Sequence, residues 1–264
     1  MSIFQRMTSI SLFLCLPSIL AFTQNSVVRN IDVASLSSTK LYGGYDSVVG
    51  ADPNTPIQVY VSSGSIEELS TLIVLHELDL NYELIDVVEP KPDWFLRVHP
   101  EGSTPALRNP VDSDDIIYNS FDQEVNQYLC NVYETLTNST CPIRPQPEES
   151  NADDLDLYQE FFDNTTEPIC LSYLDNSDQS LDEIFKKEME LSFSIFEEQL
   201  ETSQGPWLLG ESFTLLDINM MSSLLSVLVD LKETKGYQVS QDSFPNFSRW
   251  LMLCADRAAA IEDD

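Results

Sequence analysis

Residues 137–156 hold Pro142, Pro145 and Pro147 among Glu, Asp and Asn, and the apolar periodicity of the chain changes across them. Before this stretch, short β-branched runs alternate with helix-spaced segments. After it, every apolar pattern recurs at the three- and four-residue steps of a helix. A chain divided in this way builds a sheet-and-helix layer unit joined to an all-helical unit. At 264 residues it has room for both.

The first unit opens with Ile57–Val61 (Ile-Gln-Val-Tyr-Val), a β-branched and aromatic run that ends in Ser62-Ser63-Gly64-Ser65. Residues 66–78 place Ile66, Leu69, Ile73, Leu75 and Leu78 largely at helical spacing. Ser65 is a suitable N-cap, with Glu67 and Glu68 in the first turn, where the helix dipole favours carboxylates. Residues 82–88 alternate as a second strand, and Pro92 begins a short helix carrying Trp94-Phe95-Leu96. Strands at Ala106–Arg108 and Ile116–Tyr118 flank an Asp-rich turn, and a helix follows from Ser120 to about Tyr133. The order is β-α-β-α-β-β-α. Beyond residue 154, helices are expected at 155–162, 181–200, 215–231 and 247–261.

Within this plan Gly102-Ser103-Thr104-Pro105-Ala106-Leu107 stands out. Pro105 has no N–H to give a ladder, so it suits the first residue of a strand. It pushes Thr104 to extended geometry, leaving that residue's N–H and C=O to pair with something else. An added strand-like ligand is one reading; an ordinary turn into an edge strand is the other.

With 13 basic and 44 acidic residues the formal net charge is -31, which argues against nucleic-acid binding or a polybasic membrane contact. The five cysteines, Cys15, Cys130, Cys141, Cys170 and Cys254, form no Cys-x-x-Cys, and His76 and His99 are the two histidines, so a zinc site is poorly supported. A reduced compartment is the easier reading. Cys130 and Cys141 flank a loop and could pair under oxidising conditions.

Arg6 precedes an apolar run from Ile10 to Ala21, too short for a membrane span and fitting a signal-peptide core, with cleavage expected before Phe22. The Ser/Thr-rich, acid-poor segment that follows resembles the second part of the bipartite presequence of algae with complex plastids, such as diatoms. That resemblance implies plastid import through the secretory pathway, with secretion or retention in the endoplasmic reticulum as the alternative. Sequons at Asn138, Asn164 and Asn246 would be used only on the secretory route. The domain plan is a signal peptide over 1–21, a transit-like segment and linker over 22–55, the sheet unit over 56–136, an acidic Pro-rich linker over 137–154 and the helical unit over 155–264.

Four motifs carry a more specific resemblance. Lys91-Pro92-Asp93-Trp94-Phe95-Leu96 is followed by His99-Pro100-Glu101-Gly102-Ser103-Thr104-Pro105-Ala106-Leu107, then by Ile117-Tyr118-Asn119-Ser120 with Tyr128-Leu129. Gly205-Pro206-Trp207-Leu208-Leu209-Gly210 leads to Phe213-Thr214-Leu215-Leu216-Asp217-Ile218, where Thr214 and Asp217 have the spacing of a capping box. Phe244-Pro245-Asn246-Phe247-Ser248-Arg249-Trp250-Leu251 closes the series. In this order they resemble the cytosolic-type glutathione S-transferases over residues 57–261, most of all the omega, tau and dehydroascorbate-reductase branches. The resemblance implies a thioredoxin-like N-terminal domain, an all-helical C-terminal domain, glutathione as co-substrate without a metal, a small electrophilic second substrate and a possible homodimer.

The resemblance also implies residue roles. Ser65 matches the omega-type active position, where a hydroxyl would stabilise the glutathione thiolate; capping its own helix is the alternative reading, with Ser62 and Ser63 as further candidates. Thr104, before a proline that is cis in the family, would pair its backbone with the cysteinyl amide, and Pro105 orients that edge. Lys91 would contact the glycyl carboxylate. Asn119 and Ser120 would hold the γ-glutamyl ammonium. Three departures stand out: Ile66 replaces the usual proline, Glu67 and Glu68 lie where a thiolate would form, and Asn119 replaces an acidic residue. Tyr158, Phe161 and Phe162 either line a second-substrate pocket between the domains or belong to the core. Two functions remain open: a transferase conjugating glutathione to, or reducing with it, a small electrophile, and a catalytically impaired binding module of the same fold.

Overall fold

The computed structural model describes residues 55–62, 66–109, 116–118, 123–145 and 152–260, with side chains placed for all of these except 66–67, 116–118, 123–124, 152–156 and 259–260. Four strands form one sheet: β1 (Ile57–Val61), β2 (Tyr82–Asp86), β3 (Ala106–Arg108) and β4 (Ile116–Tyr118), in the order β2-β1-β3-β4. β1 runs parallel to β2 with Val59 beside Leu84, and antiparallel to β3 with Val59 beside Leu107; β3 and β4 are antiparallel. Helices α1 (Ile66–Glu77), α2 (Asp93–Val98) and α3 (Gln123–Thr137) complete the β-α-β-α-β-β-α unit.

The two-residue period of a strand sends alternate side chains of β1 to opposite faces. Ile57 and Val59 enter the large core shared with α1, α3 and the helical half, whereas Tyr60 joins Val87, Phe95 and Ala106 on the α2 side. Both faces of β1 are therefore covered, which accounts for its nearly unbroken apolar character.

The second half contains α4 (Ala152–Phe161), a π-helical turn (Phe162–Thr166), α5 (Glu167–Asp175), a 3-10 turn (Gln179–Leu181), α6 (Asp182–Thr202), α7 (Leu215–Lys235) and α8 (Pro245–Ala260). The helix expected at 155–162 does not stop there. Pro168, which would clash with the carbonyl four residues earlier in an unbroken α-helix, stands two residues after the π turn, in the first turn of α5, which continues beyond it. α7 is buried almost all round, as a central helix must be, and it packs on α1, α4, α5 and α8. Its start is the capping box read from the sequence, with Thr214 and Asp217 exchanging side-chain-to-backbone bonds. Asp217 is fully buried and also accepts from Leu208 N–H at 3.1 Å and from Trp250 Nε1–H at 2.8 Å, so it ties α7 to the 207–210 turn and to α8. Its burial raises the carboxyl pKa, opposed by these donors.

This is the fold of the glutathione S-transferases: a thioredoxin-like domain with a small mixed sheet, then an all-helical domain.

Candidate functional site at the corner of β1 and β3

The β1–β3 ladder pairs Gln58 with Arg108, Val59 with Leu107 and Tyr60 with Ala106. Continuing that register two residues past the ladder sets Ser62 opposite Thr104. The two hydroxyls are 2.8 Å apart, and either can donate. The Glu68 carboxylate, in the first turn of α1 and only 6% exposed, accepts the Ser62 N–H at 2.5 Å and the Ser62 hydroxyl at 3.2 Å. A buried carboxylate needs such donors, and a helix N-terminus favours its charge. One acid thereby fastens the end of β1 to the start of α1.

The segment leading into β3 is pinned from several sides. Lys91 Nζ donates to Gly102 O at 2.5 Å and lies 3.6 Å from Glu89. Gly102 sits at φ +67°, a conformation that selects glycine, and a Cβ there would come within 2.9 Å of Leu96 Cδ2 and 3.1 Å of Lys91 Cδ, flexible side chains that would have to shift. His99 is fully buried, with its ring edge-on to Phe95 at 5.4 Å. Its Nε2 is 3.1 Å from Ser103 O and 3.0 Å from Ser103 Oγ. Burial lowers the imidazole pKa below the ordinary 6.5, opposed by the Ser103 carbonyl. A carbonyl only accepts, so Nε2 carries the proton. The Thr104–Pro105 peptide is cis, and the ladder begins at the next residue, Ala106. Thr104 thus projects beyond the paired part of the sheet. Tyr60, underneath, has its phenol pKa raised by burial, with Arg108 opposing.

Of the residues singled out from the sequence, Lys91, Thr104 and Pro105 come together at this corner, Lys91 reaching the carbonyl two residues before Thr104. Ser65, Asn119 and Ser120 lie outside the described residues. Ser62 is the hydroxyl brought onto Thr104, and Glu68 is the group that holds it. Sequence reasoning counted along the chain from Tyr60 to Ser65, whereas the pairing of Ser62 with Thr104 depends on a register between residues 42 apart. Phe95 is fully buried and Trp94 packs beside it, the core role that aromatics usually take. Phe162 is buried too, while Tyr158 and Phe161 lean on Phe196 of α6, with the Tyr158 hydroxyl donating to Gln199 at 2.5 Å. Among the described residues no group of three His, Cys, Asp or Glu side chains is placed to hold a metal, and no helix is long and apolar enough to cross a membrane.

Residues 69–125 match the glutathione S-transferase N-terminal domain and residues 159–258 the glutathione S-transferase C-terminal domain, together more than half of the chain. The chain belongs to the glutathione S-transferase superfamily. A relative from Oryza sativa subsp. japonica named "Probable glutathione S-transferase DHAR1, cytosolic" is 27% identical over 177 residues, covering 65% of this chain and 70% of that protein. Among solved structures, glutathione transferase Omega 3C of Trametes versicolor is similar with a TM-score of 0.62 at 16% identity, over 80% of this chain and 89% of that one. The tau-class MiGSTU of Mangifera indica gives the same TM-score and identity over 75% and 88%. The transferase URE2P8 of Phanerochaete chrysosporium, solved with oxidised glutathione, gives 0.59 at 22% identity over 81% and 97%.

Proposed function

We propose that the chain binds glutathione along the Thr104 edge and joins it to, or uses it to reduce, a small electrophile. The observation that carries this reading is the hydroxyl pair Ser62–Thr104, held by Glu68 just beyond the last rung of the β1–β3 ladder. A peptide-like ligand laid along Thr104 continues the sheet by main-chain hydrogen bonds, and the cluster sets its cysteinyl sulfur near the start of α1. A hydroxyl there, from Ser65 or from Ser62, donates to the sulfur and favours the thiolate. Lys91 supplies positive charge beside the same edge for the glycyl carboxylate, and Ser120 with Asn119 receives the opposite end of the tripeptide.

One observation favours the second reading, a binding module with little turnover. The Glu68 carboxylate lies at the same corner, and negative charge near a thiol opposes its ionisation. Retention on immobilised glutathione, followed by turnover of a generic aryl halide and of a small disulfide, tests both. Retention with turnover is expected. Retention without turnover selects the module, and failure to bind glutathione removes the glutathione claim from both readings.

A further inference from the structure

A second cluster of reactive side chains lies away from this corner. Gln127, Cys130, Asn131 and Glu134 share one face of α3, three or four residues apart. The turn after α3 folds back onto that face. Cys141 N–H donates to Glu134 Oε1 at 3.1 Å, and Arg144 donates to Asn131 Oδ1 at 2.6 Å and to Gln127 O at 3.3 Å. Arg144 and Glu134 also pair at 3.6 Å. These ties lay the turn that carries Cys141 against the face of α3 that carries Cys130, and both cysteines are buried there in the same core.

The turn itself is built to hold a thiolate. Arg144 N–H bonds Cys141 O at 3.2 Å, closing a β-turn with Pro142 in its second position. Cys141 occupies the first position, where Asp, Asn or Ser commonly sets a side-chain acceptor over the following N–H groups. Here the N–H groups of Ile143 and Arg144 follow Cys141 in the turn, and the Arg144 guanidinium, tied to Asn131, Gln127 and Glu134, adds positive charge that favours a thiolate at either cysteine. Turn N–H groups, a guanidinium and a partner thiol are the surroundings that make a cysteine reactive. Donation from Cys130, aided by those groups, pulls the Cys141 thiol down to about 7, while Cys130, which gives up its hydrogen to the bond, is pushed up. Among the described residues, burial drives the other two thiols the other way: Cys170 is pushed up to about 12 and Cys254 well above its ordinary value.

We infer that Cys130 and Cys141 form a peroxide-oxidised dithiol, Cys141 being the attacked thiolate and Cys130 the resolving thiol. The Cys141 sulfur attacks one oxygen of hydrogen peroxide and the O–O bond breaks, giving a sulfenic acid and hydroxide, which takes a proton and leaves as water. Cys130 then loses its proton, its sulfur attacks that of Cys141, the S–O bond breaks and a second water departs. Two thiols and one peroxide become one disulfide and two waters. Both sulfurs are buried, but the turn above them exposes Ser139, Thr140 and Pro142, so local opening admits a molecule as small as peroxide. The bond would lock a turn whose Ile143 carbonyl accepts Leu215 N–H at 2.8 Å, at the start of α7.

The test treats the intact protein with hydrogen peroxide and maps its thiols by mass spectrometry. A peptide cross-linked through Cys130 and Cys141 is expected, with Cys170 and Cys254 still alkylatable after denaturation. In Cys130→Ser, Cys141 accumulates as a sulfenic acid trapped by a cyclic dione. Arg144→Gln slows oxidation by up to about tenfold for each unit by which the thiol pKa rises, with an unchanged circular dichroism spectrum. Absence of the cross-link in the wild-type protein overturns the inference whatever the variants do, as does equally fast oxidation of Cys170 or Cys254.

Discussion

Arg257 on α8 donates to both carboxylate oxygens of Glu77 on α1, at 2.6 and 2.8 Å, and so joins the two domains across 180 residues of sequence. The same guanidinium lies over the Phe213 ring at 5.0 Å and the Trp207 ring at 5.7 Å. Arg257 is 42% exposed and Glu77 16%, so solvent screens the ion pair, which is worth up to about 1 kcal/mol. The aromatic contacts and the packing of the side-chain stem add roughly 0.5–1 kcal/mol. Arg257→Ala is therefore expected to cost about twice as much as Glu77→Gln in urea unfolding. Equal losses would mean that the carboxylate is the only partner that counts.

Asp217 takes four donors in a site closed to water: Leu208 N–H and Trp250 Nε1–H on one oxygen, Thr214 N–H and Oγ1–H on the other. Asp217→Ala leaves all of them buried without an acceptor, at roughly 3–5 kcal/mol. Thr214→Ala removes one cap and one hydroxyl donor, at about 1 kcal/mol. Chemical denaturation of the two variants ranks them, and a smaller loss for Asp217→Ala than for Thr214→Ala contradicts this account.

That network shows what was legible in the sequence. Thr214 and Asp217 are three residues apart, a spacing with one local meaning, and the box is present as read. The additional bonds from Leu208 and Trp250 depend on long-range packing, for which a single sequence carries no signal. The same division holds at the candidate site. Thr104-Pro105 announced a strand entry because proline constrains its neighbour locally. The meeting of Ser62 with Thr104 required the antiparallel register, and the return of Lys91 to Gly102 required the left-handed turn at that glycine. The helix from Glu167 to Asp175 went unread because Pro168 signals a stop unless a π turn precedes it.

His99 gives the corner a pH dependence of defined sign. Burial disfavours its charged form, so the folded pKa lies below the ordinary 6.5; Ser103 and Glu101 oppose this, and Lys91 adds to it. The unfolded chain then binds the proton more readily than the folded one. The stability tied to this group is complete above pH 6.5 and is lost as pH falls from 6.5 through the folded pKa. The urea midpoint of the wild-type protein should fall over that window more steeply than that of His99→Gln, which keeps a donor for Ser103. Parallel curves for the two proteins would assign the pH dependence to other groups.

Glu68→Gln separates the two functional readings most directly. The amide keeps an oxygen for the Ser62 N–H, so the corner retains its shape, but the charge disappears. With glutathione bound along Thr104, removing a carboxylate close to the sulfur lowers the thiol pKa. A fall of about one unit multiplies the thiolate present near neutral pH by up to tenfold. The ultraviolet absorbance of bound thiolate, followed against pH, measures this directly, and turnover of the electrophile should rise in proportion while the dissociation constant of glutathione changes little. Ser62→Ala is the complementary variant: it leaves the charge in place, removes the partner of the Thr104 hydroxyl and should weaken glutathione binding more than it shifts the thiol. An unchanged thiolate titration in Glu68→Gln would mean that the sulfur sits beyond the reach of this carboxylate, and the Glu68 argument for a low-turnover binding module would then fall.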